Sequence, residues 1–259
     1  MGKRSSSVSN SKKERRMKRK KLEQRKRLEK NKKHIDAKPA LEKEKFPYDY
    51  NKPIYKFFEK EEYADALLCG NVHLGTLNVY RAYEDVEQGD SEEAYETYLG
   101  NSIVGSSSDP KVAEQLRRCG IRIEGCNNVV VSNARNVWSL PDAYVFCTST
   151  EYSPENMSEK IGTKHCVKIK DPEKFFNIVS RKINSISAIH EAAMGKVIYR
   201  DRHYTGLEKP PGPIGFVKPA IPYEKQKEFR FLWRMQGPNK LEPFQISCPE
   251  IIELCERMA

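Results

Sequence analysis

Between Lys3 and Lys33 the chain carries sixteen Lys or Arg and only three Glu, a local balance of +13 in a protein whose total is +10. A stretch of that charge density cannot bury enough apolar surface to offset the entropy of ordering it. The fold must therefore be built from the remainder, which sums to about −3 and holds roughly 210 residues from Phe46 onward, enough for one large domain with a proper core. The sequence is read as a basic low-complexity arm and linker over residues 1–45, then a single domain over 46–259.

Within the arm, like charges at i,i+4 (Lys12/Arg16, Arg15/Arg19, Lys21/Arg25) oppose an isolated helix, and Met17, Leu22 and Leu28 make no sustained apolar stripe. A helix is permitted, but we expect disorder in solution and ordering on a polyanion. RNA, ribosomal or otherwise structured, is the natural partner of residues 3–33, because every neutralised phosphate releases counterions. Other readings stay open. Met1-Gly2-Lys3-Arg4-Ser5-Ser6 fits the loose myristoylation pattern, which with a basic patch would give a two-signal membrane anchor. The run could be a nuclear or nucleolar address in a eukaryotic host, or a solvated tail.

No apolar run approaches the ~20 residues of a membrane span, and the charged start is not followed by the apolar region of a signal peptide. Seven cysteines without a CxxC pair point to reduced thiols packed as small hydrophobes, and hence to a cytoplasmic setting.

Residues 35–53, with Pro39, Pro47 and Pro53, read as a linker. Ile54–Phe58 reads as a buried strand. Glu61–Cys69 follows as a helix with Tyr63, Ala64, Leu67 and Leu68 inward, and Gly70 is its left-handed cap. Val72–Val79 is expected to be extended, Asn101–Pro110 a loop, and the middle mostly strand, at 121–123, 127–132, 142–149 and 164–169. Asp171-Pro172-Glu173 starts a helix with Asp at the N-cap and Pro at N1, burying Phe175, Phe176 and Val179. Five prolines in Lys209–Pro222 indicate a surface loop. Lys227–Met235 reads as a strand and Pro249–Met258 as a closing helix. The class is α+β: a mostly β core of short strands with flanking helices.

Three clusters could carry chemistry. Arg81 to Glu93, after a strand, gathers Asp85, Asp90 and Glu93, which could hold a divalent cation for nuclease chemistry or form a solvated acidic loop paired with Arg81. Cys147-Thr148-Ser149-Thr150 ends a strand and offers hydroxyls. In an extended Tyr223–Phe231, Gln226, Glu228 and Arg230 share one face and Phe229, Phe231 and Trp233 the other. An inward aromatic face would then display Glu228 on a rigid strand, the alternative being an ordinary exposed Glu–Arg pair. The five histidines are dispersed, and no P-loop, GxGxxG or GxSxG motif occurs.

The order Ile54-Tyr-Lys-Phe-Phe58, the helix end Leu67-Leu-Cys-Gly70 and the strand Leu74-Gly-Thr-Leu77 resemble the opening of ADP-ribosyltransferase-like folds. Thr148-Ser149-Thr150 is similar to the Ser-Thr-Ser element of their Arg-Ser-Glu group, and Gln226-Lys227-Glu228 to its Gln-x-Glu element. The body also resembles a widespread bacterial family of uncharacterised domains with a Tyr-Lys-Tyr-like opening, an Asp-x-x-Glu-like segment and a late Glu-Tyr/Phe-Arg strand. The resemblance implies cleavage of the nicotinamide–ribose bond of NAD. Glu228 would stabilise the developing oxocarbenium charge, Gln226 orient the acceptor and Ser149 support Glu228. Tyr55, Lys56, Arg81 and Arg230 would lie along the dinucleotide. Lys56 stands where the family carries His or Arg, so the pyrophosphate contact falls to Lys56 or Arg81. A non-catalytic RNA- or ribosome-associated module remains the competing reading.

Overall fold

Alternation decides the centre of the molecule. In β12 (Glu228–Met235), Phe229, Phe231 and Trp233 point to one side and are each 0 % exposed. Their partner is α4 (Pro172–Ile186), which starts as the sequence dictates: Asp171 accepts a hydrogen bond from the Lys174 amide at 2.8 Å and Pro172 occupies the first turn. Phe175 and Phe176 of this helix lie against Phe231 at ring-centroid distances of 5.6 and 5.8 Å, and Phe176 stacks on Trp233 at 5.6 Å. The Trp233 indole donates to Ser180 Oγ at 2.7 Å, so the one polar atom this face buries is satisfied. Each aromatic ring so buried contributes roughly 1.5–3 kcal/mol.

The structure, a computed structural model, describes residues 43–45, 51–83, 89–155, 165–237 and 240–258, all within a compact unit that runs from Leu41 to Ala259. β12 pairs antiparallel with β8 (Ile189–Lys196) on one edge and with β6 (Tyr144–Ser149) on the other. The sheet continues through β2 (Ile54–Phe58), β7 (His165–Ile169) and β14 (Cys255–Met258), while β3 (Asn71–Thr76) and β13 (Phe244–Ser247) branch from β6. A second sheet pairs β4 (Tyr95–Gly105) with β5 (Val129–Ser139) and β10 (His203–Thr205), and β9 (Ile198–Tyr199) pairs with β11 (Val217–Lys218). The class is α+β with a strand-rich core, as expected. All seven cysteines are free thiols, and among the described residues no helix is long and apolar enough to cross a membrane.

The first helix, α1 (Glu61–Leu68), buries Ala64 and Leu67, but Tyr63 is exposed rather than inward. Gly70 does take the left-handed cap at φ +83°, and there a Cβ would sit 2.9 Å from the Cys248 carbonyl oxygen. Val72–Val79 does not stay extended. β3 ends at Thr76, whose hydroxyl accepts from the Val79 amide at 3.3 Å and starts α2 (Leu77–Ala82). The supposed loop from Asn101 is strand as far as Gly105, because pairing with β5 outweighs a Ser/Gly-rich composition. The true connection is short, and Asp109 caps α3 (Pro110–Arg118). Residues 121–123 form no strand. The closing segment is a short 3-10 helix, Pro249–Leu254, followed by β14, since the open edge of β7 offers backbone partners that a helix could not use.

The arm boundary also shifts. Residues 43–45, assigned to the linker by composition, form β1 (Lys43–Lys45), parallel to the edge of β8 with Lys43 opposite Ala192. The basic run itself lies outside the described residues. A truncation beginning at Leu41 is expected to retain the full chain's melting temperature. One beginning at Pro47 strips the edge of β8 and is expected to melt several degrees lower and to aggregate sooner, read by thermal denaturation with light scattering.

Candidate functional site

β6 is paired along its whole length only on the β12 side. On the other side β3 takes its start (Gly75 with Val145, Thr76 with Tyr144) and β2 takes its end (Tyr55 with Ser149). The sheet therefore forks at Phe146–Thr148, where no strand among the described residues covers that edge. Lys56 of β2 reaches across, and its Nζ donates to the Cys147 carbonyl oxygen at 2.8 Å while lying 5.1 Å from the Phe146 ring and 5.7 Å from that of Phe58. A backbone acceptor left bare by the fork is thus satisfied by a side chain. Desolvation lowers the Lys56 pKa.

The register puts Val145, Cys147 and Ser149 of β6 and Glu228, Arg230 and Leu232 of β12 on the face opposite the aromatic core. On this face Arg230 donates through Nε to Glu228 Oε1 at 2.7 Å. Its Nη1 donates to Glu93 Oε1 at 2.7 Å and to the Gly215 carbonyl at 2.6 Å, and its Nη2 to Glu93 Oε2 at 3.2 Å. The Lys218 ammonium lies 2.9 Å from Glu228 Oε2 and 3.5 Å from Glu93 Oε2. All four side chains are 8 % exposed or less, so their mutual attraction acts with little screening by water. Burial alone would raise the Glu228 pKa. The charges of Arg230 and Lys218, with the hydrogen bond from Arg230, overcome this and hold its carboxyl well below the usual 4.5. Lys218 and Arg230 are shifted up by the two carboxylates despite burial. Glu228 Oε2, although next to Lys218, accepts no aligned hydrogen bond.

The turn that presents Glu93 is fixed independently. Arg202 binds both oxygens of Asp90, Tyr223 donates to the Gly89 carbonyl at 2.7 Å, and Asp90 accepts from the Glu92 amide at 3.1 Å. Each carboxylate of the quartet adjoins a non-glycine residue in the left-handed region: Ala94 after Glu93 (φ 59°) and Lys227 before Glu228 (φ 47°). Such backbone costs about 1–3 kcal/mol apiece and persists only where the surroundings over-determine it.

These groups border a cavity of about 640 Å³. Of the residues singled out from sequence, Glu228, Gln226, Ser149, Tyr55, Lys56 and Arg230 all line it. Gln226 arrives differently from the extended pattern, in the 3-10 turn Glu224–Gln226 that precedes the left-handed Lys227. Ser149 Oγ accepts from the Glu151 amide at 3.1 Å. Arg81 is not among the lining residues: it donates to the Glu93 carbonyl, to Asn78 and to the Leu140 carbonyl, and stacks on Tyr95 at 4.9 Å. Asp90 and Glu93 are engaged by Arg202, Arg230 and Lys218, and Asp85 lies outside the described residues. Among the described residues no group of three or more His, Cys, Asp or Glu side chains is placed to hold a metal.

Sequence reasoning missed Lys218, Tyr80 and Tyr199. Tyr199 accepts the Glu228 amide at 2.7 Å through its hydroxyl. The one available signal for Lys218 was a lone lysine inside the apolar run Phe216-Val217-Lys218-Pro219, a placement that calls for a buried counter-charge.

Comparison with protein-family models, with curated proteins and with solved structures finds no match.

Replacing Arg230 by Met leaves two buried carboxylates sharing one lysine. This is expected to cost about 3–5 kcal/mol of stability, measured by denaturant unfolding. The pH dependence follows from the sign of the Glu228 shift. A carboxyl whose folded pKa lies below its unfolded value stabilises fully above about 4.5 and loses that contribution as pH falls below it. The difference in unfolding free energy between wild type and Glu228→Gln should therefore be constant from about pH 6 to 8 and shrink below about pH 4.5.

Proposed function

We propose that this cleft cleaves the nicotinamide–ribose bond of NAD and passes ADP-ribose to an acceptor, with the basic arm carrying the domain to a nucleic acid or ribonucleoprotein. The observation that carries the reading is Glu228: an ionised carboxylate, dry, fixed at the start of a central strand by Arg230 and Lys218, and lining a cavity of about 640 Å³. Ligand cavities commonly measure about 300–1,000 Å³.

The chemistry asked of such a site is electrostatic. As the bond from ribose C1′ to the nicotinamide nitrogen breaks, its electron pair leaves with nicotinamide and positive charge grows on the ribose. A fixed anion whose position is set before the reaction stabilises that charge without reorganising. Arg230 and Lys218 keep Glu228 ionised and oriented, and Tyr199 fixes its backbone amide. Gln226, which also lines the cavity, would orient the acceptor. Lys56 adds a cation beyond the neutral quartet, which suits an anionic dinucleotide.

A second reading, a non-catalytic RNA- or ribosome-associated module, is favoured by the +13 balance of residues 3–33. One pair of assays separates the two. Wild type is expected to release nicotinamide from NAD, and Glu228→Gln to lose at least about 100-fold of that rate, the range found when a preorganised charge-stabilising group is removed. Glu228→Asp serves as the control for a folded site that retains the charge. Absence of release by wild type, with and without RNA, sinks the enzyme reading. RNA binding is expected to be lost on deletion of residues 1–40 and, in the full chain, to weaken steeply with salt.

A further inference from the structure

We infer that Tyr80 is a second substrate-contacting group, a hydrogen-bond donor that works beside the Glu228 acceptor and selects a ribose diol; this rests on the proposed cleavage of NAD. Tyr80 sits on α2, immediately beyond the fork, and lines the same cavity as Glu228. Its backbone carbonyl accepts from the Asp90 amide at 3.0 Å, which ties the residue to the turn that presents Glu93. Its ring lies over β3 at a glycine. A Cβ at Gly75 would fall 3.1 Å from both Cε2 and the hydroxyl oxygen of Tyr80, so a side chain there would push the phenol aside by a few tenths of an ångström.

The hydroxyl faces the Cys147 thiol and lies within electrostatic reach of Glu228. Burial and these neighbours push its pKa well above 10, and they push the Cys147 thiol up to about 12, so both stay protonated at neutral pH. A thiol is a weak hydrogen-bond partner, so the phenol keeps a strong donor in reserve for a ligand oxygen. Glu228, ionised and lining the same cavity, is the opposite: it can only accept, and so suits a ligand donor. One group that answers both at adjacent atoms is a cis-diol: one hydroxyl donates to Glu228, and its neighbour accepts from Tyr80. The ribose of a nucleotide has that arrangement.

The test compares wild type, Tyr80→Phe and Gly75→Ala on NAD, 2′-deoxy-NAD and 3′-deoxy-NAD, with ADP-ribose affinity measured separately by calorimetry. Tyr80→Phe removes only the hydroxyl and is expected to keep its melting temperature while kcat/KM on NAD falls about tenfold, the value of one substrate hydrogen bond. Gly75→Ala, which keeps the hydroxyl but displaces the ring, is expected to show a loss in the same direction. On the deoxy analogue that lacks the hydroxyl bound by Tyr80, wild type and Tyr80→Phe should converge, an effect that a merely structural role would not produce. Equal losses on all three substrates, or unchanged kcat/KM in Tyr80→Phe with active wild type, overturn the assignment and leave NAD cleavage standing. Wild type that neither binds ADP-ribose nor releases nicotinamide overturns both. If wild type binds ADP-ribose without turnover, the affinity ratio of wild type to Tyr80→Phe decides in the same way, about tenfold supporting and unity refuting.

Discussion

Arg230 holds the cleft together. It is 1 % exposed, with one donor on Glu228, two on Glu93 and a share in the Gly215 carbonyl, so three separate pieces of chain converge on one guanidinium. No apolar residue could do the same, because the groups it joins are two carboxylates that would otherwise repel across a dry gap. Lys218 supplies the second positive charge, and the quartet closes at zero net charge. The planar fork of the guanidinium sets both the distance and the orientation of the two acids, which an ammonium in its place would leave free to rotate.

The quartet can occupy this position because of how β12 is built. One face of the strand carries Phe229, Phe231 and Trp233 into an aromatic core closed by α4, and the other carries Glu228 and Arg230. The apolar face contributes the stability that marginal folds need. The opposite face can then hold four dehydrated charges, a combination that gains little over well-packed hydrophobic residues. The fork in the sheet does the rest. Among the described residues no strand lies on the edge of β6 at Phe146–Thr148, these residues line the cavity, and Lys56 covers the Cys147 carbonyl that the fork exposes.

The sequence was most legible where a local rule and the tertiary environment agree. Asp171-Pro172 starts a helix whatever surrounds it, Gly70 caps one, and the Phe229/Phe231/Trp233 alternation places an aromatic face inward; the structure has all three. It was least legible where a partner strand outweighs composition: Asn101–Gly105 is strand because β5 lies alongside it, and Cys255–Met258 is strand because β7 has an open edge. For the site, Glu228, Ser149, Tyr55, Lys56 and Arg230 line one cavity because they belong to strands that their own patterns revealed, whereas Gln226 lines it from a 3-10 turn where an extended segment was expected. Lys218 could not be found in this way. Its partner Glu93 is remote in sequence, and the proline-rich segment around it suggested solvent. Asp90 and Glu93 illustrate the converse: their clustering suggested a metal, while the cations that engage them come from Arg202, Lys218 and Arg230, far along the chain.

The cost of this arrangement bears on what it is for. Two left-handed non-glycine residues flank the acids, four charges are held out of water, and Glu228 Oε2 is left without an aligned donor although its surroundings are dry. Each of these opposes folding, and a leucine-like replacement of the whole quartet would remove the charge terms at no loss of packing. What such a replacement could not supply is a carboxylate that stays ionised in the low-dielectric wall of a cavity. Under the proposed reaction that anion is the group needed where positive charge develops, and the strain and desolvation around it are the energetic counterpart of having it in place beforehand.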